Sequence, residues 1–187
     1  MEFEKSLKFI SVGVLIGGIF FGETAVGANQ NNDLQLGIDS LGNAIAAWDV
    51  VDASNNRLIQ VATMTASGTW STPATLSLTG QVAESPKIIV DSSDNAVVIW
   101  TAVDATNQVM VLYASMLVAG TGGHWTTPVQ ISTSQCNVAS DYILVVNNNK
   151  NVVALWNAVD TTTGLTNVYS AMVKIGGSWS AQKQVSQ

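Results

Sequence analysis

The stretch NAVVIWTAVDATN at residues 95–107 decides the fold, because similar stretches occur twice more in the chain. They are NAIAAWDVVDASN at 43–55 and NVVALWNAVDTTTG at 151–164. In each copy an apolar run ends in a Trp, and an Asp follows four residues later. The runs are apolar at consecutive positions rather than at alternate ones, which predicts a strand that is covered on both faces.

The Trp residues show that the repeat extends beyond this strand. They fall into two interleaved sets whose successive members are 52 to 56 residues apart. The first set is Trp48, Trp100 and Trp156, and the second is Trp70, Trp125 and Trp179. This spacing predicts three repeat units, at 34–85, 86–140 and 141–187, of which the third is diverged.

Each unit contains four short stretches with strand composition, separated by residues that turns select. In the second unit they are PKIIVD from 86, NAVVIWTAV from 95, QVMVLYASMLV from 108 and HWTTPVQIS from 124. No stretch after the first thirty residues shows a helical period of useful length. The unit is therefore predicted to be a four-stranded antiparallel meander in an all-β fold.

The cover most readily available for the two apolar faces of the second strand is the next copy of the unit. Repeated four-stranded units of this length are typical of β-propeller blades, with a solenoid as the alternative. The pattern D-x-x-G-N-A-x-x-x-W, followed by W-x-x-P-x-x-[IL]-S, also resembles the repeats of secreted bacterial β-propeller proteins. That resemblance implies a propeller fold and a binding role. The third copy departs from the pattern at Asn147, Lys150 and Gln182.

Three blades are fewer than the four to eight of closed propellers. Three alone would leave two blade faces bare, each a large apolar patch. We therefore expect self-association into a homo-oligomer, most simply two chains that close a six-bladed ring. The alternative is a truncated or diverged copy of a longer gene.

The first residues have the three parts of a secretory signal peptide: a short charged start, the apolar run at 9–22 and small residues before Ala28. Residues 1–28 are predicted to be this signal peptide, with cleavage near Ala28 and a secreted or periplasmic product. The apolar run is short for a membrane-spanning helix, and an uncleaved anchor is the alternative.

Charge and rare residues exclude several classes of function. Without the signal peptide, five basic and ten acidic side chains remain, with no basic run, which argues against nucleic acid as a partner. Cys136 is the only cysteine and His124 the only histidine, so an internal disulfide and a metal site built on histidines are both excluded within one chain. Arg57 is the only arginine, whereas sialidase-type chemistry needs an arginine cluster.

Two sets of residues are candidate ligand contacts. Trp70, Trp125 and Trp179 open the last strand of each unit, and they are the preferred glycan contacts, with packing between blades as the alternative. Asp52, Asp104 and Asp160 follow the second strand among other oxygen-bearing side chains, which allows a Ca²⁺ site. An Asx turn explains the same three aspartates without a metal, and Asp39 and Asp91 have the same interpretation.

The sequence thus predicts an exported, non-catalytic β-propeller module that binds a glycan or protein surface, as a lectin or a scaffold. No catalytic residue and no cofactor other than the possible Ca²⁺ is assigned. The alternative is a glycoside hydrolase or lyase that uses Asp residues near the propeller channel. A purely structural subunit is a third possibility.

Overall fold

The computed structural model describes residues 32–120 and 122–186, and these form β-strands arranged in three antiparallel sheets. The first sheet contains β1 (Asn32–Ile38), β2 (Ala44–Val51), β3 (Arg57–Met64) and β4 (Ala74–Thr75). The second contains β5 (Ala83–Val90), β6 (Ala96–Asp104), β7 (Val109–Leu117) and β8 (Val129–Gln130). The third contains β9 (Cys136–Val146), β10 (Asn151–Asp160), β11 (Thr166–Lys174) and β12 (Lys183–Gln184). Each sheet is a meander, so the predicted all-β class and four-stranded units are confirmed.

The predicted signal peptide, residues 1–28, lies outside the described residues. Within the part of the chain that the structure describes, no helix is long and apolar enough to cross a membrane.

The first strands of the second and third sheets begin a few residues before the predicted unit limits at 86 and 141. β5 begins at Ala83 and β9 at Cys136. Pro86, at the predicted start of the second unit, lies inside β5, where the register shifts between Glu84 and Lys87. A bulge of this kind tolerates a proline because the ladder is already interrupted there.

The middle sheet packs between the other two, which explains how the apolar second strands are covered. In β6 the residues from Ala96 to Ala102 are all buried. In β10 burial alternates instead, because only one of its faces packs against the middle sheet. The prediction of two covered faces therefore holds for β6 and is wrong for β10 within a single chain.

The first strands lie closest together where the sheets meet. β1 contacts β5, and β5 contacts β9, whereas the short strands β4, β8 and β12 lie at the opposite edges of their sheets. Sheets that converge on their first strands in this way are arranged as blades around an axis. We therefore call the three sheets blades, and β1, β5 and β9 their inner strands.

Candidate functional site

Each inner strand contains a β-bulge next to the Trp of its neighbouring strand. The register shifts between Asn32 and Gln35 in β1 and between Glu84 and Lys87 in β5, and β9 is irregular opposite Trp156. The first two bulges contain non-glycine residues with positive φ, Asp33 at 58° and Ser85 at 54°. Bulges redirect side chains and are frequent beside functional sites, so these residues mark where polar groups collect.

The bulges of the first two blades assemble one group of polar side chains, which we call the inner-strand cluster: Asp33, Asp49, Arg57, Glu84 and Ser85. Ser85 Oγ donates a hydrogen bond to Asp33 Oδ2 at 2.9 Å. Arg57 Nη1 donates one to Glu84 Oε2 at 2.5 Å, and Arg57 Nε lies 3.7 Å from Asp49 Oδ2. The side chains of Arg57 and Glu84 are each 34% exposed, so the cluster opens to solvent on one side.

Asp49 forms the buried wall of the inner-strand cluster. It is 1% exposed, and neither carboxylate oxygen has a hydrogen-bond partner among the described residues. Burial raises the pKa of Asp49, the positive charge of Arg57 opposes that rise, and the negative charges of Asp33 and Glu84 add to it. A buried carboxyl with unused oxygens and a raised pKa is an unusual group that can hold a proton beside the solvent-accessible Arg57 and Glu84.

The pKa of Asp49 leads to a prediction about pH and stability. Its folded-state pKa lies above the ordinary 3.8, so the stability it contributes is complete below that pH and is lost as the pH rises through the folded value. Asp49→Asn removes this titration. We expect the difference in melting temperature, variant minus wild type, to increase when the pH is raised from about 4 to about 7. Circular dichroism measures both melting temperatures.

Asp52→Asn is the control with the opposite sign. A side-chain hydrogen bond from Asn56 lowers the pKa of Asp52, so its contribution is present at neutral pH and is lost as the pH falls through the folded value. The melting temperature of Asp52→Asn is expected to lie below that of the wild type at neutral pH. The difference is expected to become smaller as the pH falls. Equal pH profiles for the wild type and Asp49→Asn would contradict the raised pKa.

Tyr142 of the third blade contacts the bulge of β5 through Ser85 and Lys87. The Tyr142 hydroxyl donates to the backbone oxygen of Ser85 and lies 3.4 Å from that of Ile99, and burial raises the pKa of this phenol. Lys87 Nζ donates to the Tyr142 carbonyl and lies 4.9 Å from the centre of its ring. These contacts hold the backbone beside Glu84 in place and so position the inner-strand cluster.

The three Trp residues predicted as glycan contacts lie in separate blades and are not brought together. Each is half-buried and packs onto apolar side chains. Trp70 packs on Trp48 and Ala62, Trp125 on the core between the first two blades, and Trp179 on the core between the second and third. Nε1 of Trp70 and Trp179 is buried without a hydrogen-bond partner among the described residues. Their role as ligand contacts stays a prediction.

The aspartates predicted as possible calcium ligands lie in Asx turns between the second and third strands of their blades. Asp52 Oδ1 accepts the backbone N–H of Asn56 at 2.8 Å, and Oδ2 accepts the Asn56 amide at 3.0 Å. Asp160 Oδ1 accepts two backbone N–H groups of its own turn, both at 2.8 Å. Asp104 accepts a backbone N–H two residues on at 2.9 Å. Each of the three carboxylates therefore accepts a hydrogen bond from its own turn, and calcium binding stays a prediction.

Sequence reasoning did not select any member of the inner-strand cluster as a site residue, and it considered Arg57 only as the single arginine. The one available signal was Asp49, an acidic residue inside an apolar strand that is otherwise predicted to be buried. Among the described residues no group of three or more His, Cys, Asp or Glu side chains is placed to share a metal ion. The chemistry available to the cluster is that of its carboxyl, guanidinium and hydroxyl groups.

No protein-family model and no curated protein matches the sequence. Solved structures do share its fold. A Hadza microbial sialidase is 15% identical, with a TM-score of 0.58 over 80% of this chain and 36% of the sialidase. An α-L-arabinofuranosidase from Fusarium graminearum is 9% identical, with a TM-score of 0.57 over 83% of this chain and 48% of the enzyme. A protein of unknown function from Dyadobacter fermentans is 11% identical, with a TM-score of 0.58 over 82% of this chain and 50% of its own.

At these identities the likeness concerns the fold alone. The chain has a β-propeller-type fold. It spans between about a third and a half of the length of these three structures.

Proposed function

We propose that this chain is an exported, non-catalytic β-propeller module that binds glycans through the inner-strand cluster. The observation that carries the proposal is the buried carboxyl of Asp49, whose oxygens have no hydrogen-bond partner among the described residues, beside the solvent-accessible Arg57 and Glu84. Sugars present many hydroxyl groups, each able to donate and to accept. The exposed Glu84 carboxylate can accept and the exposed Arg57 guanidinium can donate, which matches that chemistry, and the buried Asp49 lies beside them.

The similar structures support a glycan as the ligand class rather than another small molecule. The sialidase and the arabinofuranosidase are both named for action on sugars. A sialidase-type carboxylate clamp is not part of the proposal, because Arg57 is the only arginine of the chain.

A glycoside hydrolase or lyase is the second candidate, and the raised pKa of Asp49 favours it specifically. Glycosidases pair a carboxyl that stays protonated with a second, ionised carboxylate. Asp49 has the raised pKa that the first role needs, and Glu84 and Asp33 are the neighbouring carboxyl groups, since the charges of both act on Asp49. Binding and catalysis would therefore use the same cluster and differ in whether product is released.

A glycan array, followed by a product assay on every glycan that binds, separates the two candidates. Binding without product supports the module, and product supports the enzyme. For a captured glycan we expect Glu84→Gln to weaken binding about tenfold by calorimetry, because one charge-assisted hydrogen bond of ~1.4 kcal/mol is lost.

Trp125→Ala and Asp104→Asn are the matched comparisons for Glu84→Gln. Asp104 lies in an exposed turn outside the inner-strand cluster, so its variant is expected to bind like the wild type. If Trp125→Ala abolishes binding while Glu84→Gln leaves it unchanged, the ligand contacts the second Trp set, to which Trp125 belongs, and the proposed site is wrong.

A further inference from the structure

Among the described residues, two blade faces have no neighbouring blade, and we call them the bare faces. The leading face is the side of the first blade with the exposed side chains of Leu36 and Ile38; Trp48 on the same side is 9% exposed and packs with Ala62 and Trp70. The trailing face is the side of the third blade that carries the exposed Val145 and Met172. Its remaining apolar residues are Ile143, Val153, Leu155 and Val168.

The chain itself shows what such faces pack against. Between the second and third blades, Trp156 and Leu144 on a leading face pack with Ile99 and Met116 on a trailing face. Between the first and second blades, Trp100 on a leading face packs with residues of the first blade's trailing face. The two bare faces are therefore the unmatched halves of an interface that the chain forms twice.

Equivalent residues change exposure according to whether a neighbouring blade covers them. Met116 is 6% exposed, whereas Met172, at the same position of the third blade, is 51% exposed. Val90 is half-buried, whereas Ile38, its equivalent in the first blade, is 64% exposed. The sequence thus keeps apolar residues at positions whose exposure falls where a neighbouring blade covers them.

The side chains at the axis also match across the two bare faces. At the junction of the second and third blades, Lys87 contacts Tyr142. At the equivalent positions of the bare faces stand Ile143, which is 56% exposed, and Leu34, which is 70% exposed. The lysine and tyrosine that meet inside the chain are thus replaced by two exposed apolar side chains on the bare faces.

We propose that a second copy of this chain covers both bare faces, so that two chains form a six-bladed ring. The leading face of each copy packs on the trailing face of the other, in the arrangement that the chain uses between its own blades. The chain covers 48% and 50% of two structures with a related fold and 36% of a third, so a second copy adds a length that those structures contain. Other occupants, including further blades of another polypeptide, are outcomes of the test.

The contact between Gly37 and Val90 identifies the pair to test. A Cβ added to Gly37 would lie 2.6 Å from Val90 Cγ2, so these two positions are adjacent across the junction of the first and second blades. At the next junction the same two positions hold Ile89 and Val146, which pack in the core there, so larger side chains also fit at these positions. Their equivalents on the bare faces are Val145, 53% exposed, and Ile38. In the proposed ring, Val145 of one copy faces Ile38 of the other.

Light scattering during size-exclusion chromatography measures the assembly. We expect the wild type to have twice the mass of the chain, and Val145→Glu and Ile38→Lys each to have the mass of one chain. A mixture of the two variants is expected to regain the doubled mass, because one junction is then unaltered and the other pairs Glu with Lys. Mixing distinguishes head-to-tail packing from packing of one face on its own copy.

Leu165→Glu is the control, since Leu165 is 63% exposed in the turn between β10 and β11, away from both bare faces. It is expected to keep the doubled mass, and circular dichroism shows that all variants are folded. A wild type with the mass of one chain overturns the proposal. Single variants that keep the doubled mass, or a mixture that stays at one chain mass, overturn it as well.

Discussion

Trp100→Ala is expected to lower the free energy of unfolding by about 3–5 kcal/mol, the range for deleting a large aromatic side chain from a packed core. Trp100 is 0% exposed and lies in the middle blade, in the core that contains Ile59 and Val61 of the first blade. Its ring also stacks on that of Tyr113, with the centroids 6.2 Å apart. The substitution therefore leaves a cavity where two blades meet, and neither blade can collapse into it without moving the other.

Urea unfolding followed by circular dichroism, at one protein concentration, measures this loss. Trp125→Ala is the comparison, because Trp125 is half-buried and packs at the edge of the same core. We expect a smaller loss for Trp125→Ala than for Trp100→Ala. Similar losses would show that the second Trp set belongs to the core as much as the first, and would weaken its role as a ligand surface.

The blade architecture was predictable because the same sequence pattern occurs three times in the chain. Trp48, Trp100 and Trp156 occupy equivalent strand positions, and an apolar run that is repeated three times cannot be a local accident of composition. The turns were predictable for a similar reason, since Asp and Asn accept backbone N–H groups two residues on. Both are local features with a fixed physical cause.

The inner-strand cluster was not predictable because nothing local creates it. Asp49 and Glu84 are far apart in the chain and belong to different blades, and they share Arg57 only after those blades pack. Asp33 and Ser85 lie in bulges, which are register shifts between two neighbouring strands. A register shift depends on both strands, so a single stretch of sequence does not predict it. The burial of Asp49 likewise depends on the second blade.

The departures of the third repeat from the consensus have a local account. Lys150 stands where the first blade has Gly42, and both have positive φ, 65° and 84°. The turn therefore keeps its shape with a lysine at a position that favours glycine. Gln182 stands where the other repeats have Pro, and its Oε1 accepts a hydrogen bond from the backbone N–H of Thr133 at 3.0 Å. The third blade is thus diverged in sequence and regular in structure.

Asp91→Ala is expected to cost about 2–3 kcal/mol, since each buried polar group left without a partner costs ~1–3 kcal/mol. Asp91 and Asn95 are both buried. The Asp91 carboxylate accepts the backbone N–H of Ser93 at 2.8 Å and the Asn95 amide at 2.8 Å. Asn95 Oδ1 in turn accepts the N–H of Ala119 at 2.9 Å, which ties the next turn of the blade to this one.

The same turn in the other two blades provides matched controls at lower burial. Asp39 is half-buried and makes the equivalent bonds to Asn43, and Asn147 is exposed. Because water can replace the lost acceptor at an exposed site, we expect the losses of stability to follow the order Asp91→Ala, Asp39→Ala, Asn147→Ala. Asp91→Asn retains one acceptor oxygen and is expected to lose less than Asp91→Ala. Equal urea midpoints for the three alanine variants would show that the turn geometry, rather than the burial of its polar groups, sets the cost.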